Sequence, residues 1–145
     1  MDDQLTIREV SRRTGLSEHN LRYYERIGLI MPIDRNPSSR HRRYAAVAVG
    51  RVRFLRCMRA TGMPLAQIRR YADLVQEGPS TAAERKQMLV DHKETVEANI
   101  RELQEIVKFI DKKIEYHAIL EDNGAESEET RRILEEIQAM HKEKK

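Results

Sequence analysis

Fifteen arginines and no lysine fall between residues 1 and 78, against eight Asp and Glu, for a net charge of +7. Residues 79–145 reverse the balance: twelve Lys and Arg, including all eight lysines, meet sixteen acids, for a net charge of −4. A guanidinium is a planar fork that bonds a phosphate or a guanine edge through two N–H groups at once, whereas an ammonium acts as a point charge. A face that merely kept the chain in solution would mix the two residue types. The split therefore favours nucleic acid over an acidic protein as the partner of the first half.

Little else in the chain offers chemistry. Cys57 is the one cysteine, which excludes an intramolecular disulfide framework and argues against structural zinc, whose sites take two or more thiolates. Arg53, Arg56 and Arg59 flank it, a cationic setting of the kind that favours a reactive thiolate. The other reading of Cys57 is a small residue of the core, where free cysteines are commonly found. The five histidines, His19, His41, His92, His117 and His141, are dispersed and read as solvated or interface residues. No Ser-His-Asp set, carboxylate pair, phosphate loop or ligand cluster stands out, so no enzyme activity, metal or cofactor is expected.

The elements that must position the arginines can be placed from periodicity and punctuation. A first helix is expected from about Thr6 to Thr14, with Thr6 and Glu9 spaced as a capping box. Gly15 breaks it, Ser17 caps the next, and a second helix runs from about Glu18 to Arg26 with Leu21 and Tyr24 on one face and Gly28 as its stop. Two short helices around Thr14-Gly15-Leu16-Ser17 carry the signature of a helix-turn-helix. Met31 to Tyr44, with two prolines and Arg35, Arg40, Arg42 and Arg43, reads as a loop or short β-ribbon, the wing of a winged arrangement. A third helix follows from about Ala46 to Thr61 and a fourth from about Leu65 to Val75, separated by the turn Thr61-Gly62-Met63-Pro64. Gly78-Pro79-Ser80 is the clearest boundary.

Beyond it, Val96, Ile100, Leu103, Val107, Ile110, Ile114 and His117 recur at spacings alternating between four and three within a helix from about Thr81 to Leu120. That is the heptad seam of a coiled coil. A helix of that length extends about 60 Å at 1.5 Å per residue and cannot bury its own seam. The alternative is a core helix of one globular domain, for which the rest of the chain supplies too little apolar surface. Antiparallel pairing with the same helix of a second chain is preferred. Asp122-Asn123-Gly124 stops the helix, and a last one, from about Ser127 to Lys142, packs back on the dimer or covers a pocket, with a frayed lysine-rich tip.

The run Thr6-Ile7-Arg8-Glu9-Val10-Ser11-Arg12-Arg13-Thr14-Gly15-Leu16-Ser17, followed by Leu21-Arg22-Tyr23-Tyr24-Glu25 and Gly28-Leu29-Ile30, resembles the MerR family of transcription regulators. The wing ending Arg42-Arg43-Tyr44 and the turn Gly62-Met63-Pro64-Leu65 match it too, so the resemblance covers Thr6 to about Leu120. It implies a mainly α fold: a winged helix-turn-helix DNA-binding domain (1–78), an antiparallel coiled-coil dimerisation helix (79–121) and a short C-terminal helix with its tail (122–145). It also implies a homodimer, seamed by Val96, Ile100, Leu103, Val107, Ile110 and Ile114, that binds and distorts a palindromic promoter so that RNA polymerase engages it, under the control of an effector.

On that footing His19 and Arg22 are the expected base-edge readers. Of Tyr23 and Tyr24, one contacts phosphate and the other packs inside. Arg40, Arg43 and Tyr44 hold the DNA backbone from the wing, and Thr6 and Ser17 sit at helix starts, where backbone N–H groups favour a phosphate. Two departures stand out. The family often has a capping side chain after Tyr44, where this chain has Ala45-Ala46-Val47-Ala48, and the wing reads Ser38-Ser39-Arg40-His41 where a Gly-Tyr pair is common.

Metal-sensing members carry cysteines near the end of the coil and multidrug-binding members a large further domain. A subgroup with one cysteine in the third or fourth helix, tied to aldehydes and other electrophiles, matches the position of Cys57. A small molecule held without a covalent bond between the coil and the last helix is the other effector reading. The rival to a regulator is a basic coiled-coil scaffold, which would bind DNA weakly and without regard to sequence. No apolar run nears the roughly 18 residues of a membrane span, and the first residues lack a secretory signal, so a cytoplasmic protein is expected.

Overall fold

The computed structural model describes residues 4–30, 34–35 and 42–142. Among these residues three strands and six α-helices follow one another in the order β1 (Gln4–Thr6), α1 (Ile7–Thr14), α2 (Glu18–Arg26), β2 (Asp34–Arg35), β3 (Arg42–Ala45), α3 (Ala46–Ala60), α4 (Leu65–Glu77), α5 (Ala82–Asn123) and α6 (Glu128–Lys142). A short 3₁₀ turn at Pro79–Thr81 joins α4 to α5. The mainly helical fold with a winged helix-turn-helix and a long helix is as expected.

Strand β1 is the element that sequence reading missed. Three residues are too few to show alternation, and β1 exists because it pairs antiparallel with β3, Leu5 opposite Tyr44 and Thr6 opposite Arg43. Strand β2 pairs with the other edge of β3, so the wing strand is the centre of a three-stranded sheet ordered β1-β3-β2.

Two compact units divide the chain, Met1–Lys93 and Glu94–Lys145. The break falls inside α5 rather than at Gly78, because the first turns of α5 are tied into the first unit. Arg70 on α4 holds Glu84 on α5 at 2.9 Å. The Thr81 hydroxyl lies 2.6 Å from the Leu74 carbonyl and accepts from Arg85 Nε at 3.1 Å. His92 is buried, 8% exposed, which corrects its reading as a solvated or interface residue. Its Nε2 lies 2.7 Å from Thr61 Oγ1, and that hydroxyl lies 2.8 Å from the Cys57 carbonyl.

The first unit has one apolar core, in which Leu5 of β1, Val10 of α1, Leu21 of α2, Tyr44 of β3, Val52 of α3 and Ile68 of α4 all meet. In the second unit, Ile133 and Ile137 of α6 are buried. Helix α6 meets α5 through Lys112–Glu136 at 2.8 Å and the edge of Phe109 against His141 at 5.0 Å. At about 100° per residue, Phe109, Lys112 and Tyr116 lie on the side of α5 opposite the seam. Helix α6 therefore leaves the seam open, with Leu103 60% and Ile114 61% exposed. The lysine-rich tip beyond Lys142 lies outside the described residues.

Candidate nucleic-acid interface

Local chemistry builds the helix-turn-helix. The Thr6 backbone N–H donates to Glu9 Oε2 at 2.7 Å and the Glu9 N–H donates to Thr6 Oγ1 at 3.2 Å. This capping box satisfies donors that the first helical turn leaves unpaired. The Thr6 backbone N–H, and then its hydroxyl, hold the Glu9 carboxyl below the usual carboxylate range. At the other end of α1, Thr14 Oγ1 donates to the Val10 carbonyl at 2.7 Å and Ser11 Oγ to the Leu16 carbonyl at 2.6 Å.

Gly15 turns the chain at φ +74°, and a Cβ there would stand 2.7 Å from Arg56 Nη1. That guanidinium has crossed over to donate to the Thr14 carbonyl at 2.7 Å, while Arg53 donates to the Arg13 carbonyl at 2.9 Å. Two members of the arginine block thus neutralise the C-terminal carbonyls of α1, where a cation is favourable. Not every arginine of the basic half faces a nucleic acid.

Ser17 accepts from the Asn20 N–H at 3.1 Å and starts α2. Leu21 is buried and Tyr24 packs half-buried against the core. His19, Arg22 and Arg26 are exposed and Tyr23 is 39% exposed. At about 100° per residue these four side chains fall within about 100° of arc on one outward face. Among the described residues Arg22 makes only an exposed ion pair with Glu18 at 3.4 Å, a contact that contributes little in water. Arg26 stands over the Tyr23 ring at 6.0 Å. Sequence reading missed Arg26, although its spacing from Arg22 would have found it.

The sheet brings Thr6 and Arg43 together as a cross-strand pair, with Arg43 half-buried. Tyr44 does not stand where expected. Alternation along β3 turns it inward, 1% exposed, and its hydroxyl donates to Glu25 Oε2 at 2.6 Å. It joins the wing strand to α2 instead of offering itself to a phosphate. At Thr6 the Glu9 carboxylate already takes the hydroxyl, at 2.8 Å, which leaves less for an incoming anion. Arg40 and His41 lie outside the described residues. Ala45 begins α3 with no side-chain cap, the local consequence of the missing capping residue.

Cys57 is exposed, so it does not sit in the core. Its neighbours Arg53 and Arg56 are engaged as above, and Arg59 donates to the Met63 carbonyl at 3.3 Å. Among the described residues no three His, Cys, Asp or Glu side chains gather as a metal site, and no helix is long and apolar enough to cross a membrane.

Residues 5–74 match the model for MerR HTH family regulatory proteins and residues 49–112 the model for MerR, DNA binding. The HTH-type transcriptional regulator AdhR of Bacillus subtilis is 36% identical over 90 residues, 62% of this chain and 64% of its own length. This chain therefore spans somewhat under two thirds of that relative. Heavy metal-dependent transcription regulator 2 of Rhizobium meliloti is 33% identical over 104 residues, 72% of this chain and 70% of its own. These relatives are transcriptional regulators, not enzymes. The crystal structure of HiNmlR, a MerR family regulator lacking the sensor domain and bound to promoter DNA, superposes with a TM-score of 0.80. It is 23% identical and covers 90% of this chain and 95% of that one.

Proposed function

The chain belongs to the MerR family of DNA-binding transcriptional regulators, and on that premise we propose that it acts as a homodimer gripping the two halves of a palindromic promoter. The observation that carries this reading is the outward face of α2, where His19, Arg22, Tyr23 and Arg26 stand together on a helix whose other face is locked into a sealed core. His19 and Arg22 read base edges in the major groove, and Tyr23 and Arg26 hold the flanking phosphates. Arg43 and Arg40 add backbone contacts from the wing and Ser17 one from the start of α2, with Thr6, whose polar groups Glu9 engages, contributing least. Tyr44, through Glu25, ties α2 to the wing strand, and Tyr24 packs against the core beneath it.

The seam of Val96, Ile100, Leu103, Val107, Ile110 and Ile114 pairs two chains, and symmetric heads then meet symmetric half-sites. A protein anchored at both ends can bend and underwind the duplex between them. RNA polymerase engages the promoter in its distorted form.

The exposure of Cys57 supports a covalent signal. Its thiolate adds to an aldehyde carbonyl carbon, forming a C–S bond. The carbonyl π electrons pass to oxygen, which takes a proton from water to give a hemithioacetal. The adduct would act through the Cys57 carbonyl, Thr61 and His92, the chain of contacts that links α3 to α5. Cys57→Ser is expected to abolish aldehyde-induced transcription, and unchanged induction would refute the sensing role.

The experiment that tests the main reading is binding of the full chain to DNA from upstream of its own gene, against scrambled competitor at two salt concentrations. Binding that survives competitor and falls steeply with salt is expected. Weak binding displaced equally by any DNA would leave a basic scaffold.

A further inference from the structure

Helices α3 and α4 flank a half-open cavity of about 380 Å³ that neither the DNA-reading face nor the seam accounts for. Val47 and Phe54 of α3 line it with Tyr71 and Val75 of α4, and Leu29 and Ile30 come from the segment directly after α2. Phe54 and Tyr71 lean on each other as an aromatic pair, centroids 5.0 Å apart and planes at 34°. Val47 is 60% exposed, an apolar side chain left to water beside an apolar hollow.

Only two lining residues carry long polar side chains, Arg51 and Gln76. Among the described residues neither has a hydrogen-bond or ion-pair partner. Arg51 is an exception on its own helix, since Arg53, Arg56 and Arg59 are all bonded to backbone carbonyls.

Small-molecule sites have this composition: a largely apolar hollow of about 300–1,000 Å³ with a few converging polar groups that fix orientation. Arg51 is exposed at the mouth of the hollow and offers an occupant a cation, so an acid fits it better than a neutral molecule of the same shape. We propose that this cavity binds a small amphipathic organic acid, its apolar body against Phe54, Tyr71 and Val75 and its carboxylate on Arg51. Because Leu29 and Ile30 follow α2 and Val47 follows β3, the occupant bears on both the reading helix and the wing strand and lowers or raises DNA affinity. That last consequence rests on the DNA-binding reading; the binding itself does not.

Calorimetry of the full chain, without DNA, with 2-naphthoate and its neutral amide separates the terms. Naphthoate is expected to bind saturably, one per chain and at least tenfold tighter than the amide. Arg51→Gln should bring it down to the affinity of the amide, and Ala72→Phe should block both. Should Ala72→Phe disturb folding, Val47→Trp fills the cavity from an exposed position and makes the same test. Absence of saturable binding, equal affinity for acid and amide, or indifference to Arg51→Gln overturns the proposal. So does a change of oligomeric state in the two filling variants, which would mean that a second copy occupies the cavity. Naphthoate binding in a chain that ignores its upstream DNA would sink the regulator reading and leave the site standing.

Discussion

The head and the long helix use the same apolar residue types to opposite ends. In the first unit Val10, Leu21, Val52 and Ile68 are closed off within one chain. In the second, Ile100, Leu103, Val107 and Ile114 are as apolar and as regularly spaced, yet stay open to water. Helix α6 sharpens the contrast, because it buries its own Ile133 and Ile137 on the opposite side of α5. The head is a folded object in itself, whereas the seam is half of one. Exposed apolar stripes of that extent mark interaction surfaces.

Breaking the seam should have the largest effect. Leu103→Glu puts a charge in the middle of the stripe and is expected to yield a folded monomer in sedimentation. Its affinity for a full operator should fall about 100-fold or more, as two linked half-site contacts become one. A variant that stays dimeric would mean that the seam is not the interface. Breaking the head is the converse experiment: Leu21→Ala should cost about 2–5 kcal/mol of unfolding free energy, read by denaturant titration, without changing the association state.

How far such contrasts were legible in the sequence depends on range. The capping box of Thr6 and Glu9, the turn at Gly15 and the cap at Ser17 depend on residues a few positions apart, so spacing alone locates them. The seam is equally readable, being a period along one helix. Strand β1 is not, because it exists only by pairing with β3. Nor are the roles of Arg53 and Arg56, whose carbonyl partners lie 40 and 42 residues away. A basic count cannot separate an arginine that staples a helix end from one that meets DNA. Tyr44 failed for the same reason: alternation in a four-residue strand decides its direction, and only the sheet register sets that alternation.

A smaller effect should separate face from core within α2. Arg22→Ala is expected to cost about 1–3 kcal/mol of DNA binding and to relax specificity at one base pair, leaving thermal unfolding unchanged. An unfolding change equal to that of Leu21→Ala would mean that Arg22 belongs to the scaffold. The smallest effect expected is that of pH. The Glu9 carboxyl is held below its ordinary value by the Thr6 N–H and hydroxyl. Its contribution is therefore present above the unfolded-state value and lost as pH falls through the folded one. The denaturant midpoint should decline on acidification through the carboxylate range, and less so in Glu9→Gln. A decline unchanged by that substitution would place the acid sensitivity elsewhere.

On this reading one chain supplies a complete reading head and half of a dimer. The most direct measurement compares the affinity of the full chain for its operator with its affinity for the same DNA cut to a single half-site. A preference of about 100-fold or more for the full site is expected, abolished in Leu103→Glu while half-site binding persists. Equal affinity for the full site and the half-site in the unmodified chain would contradict it.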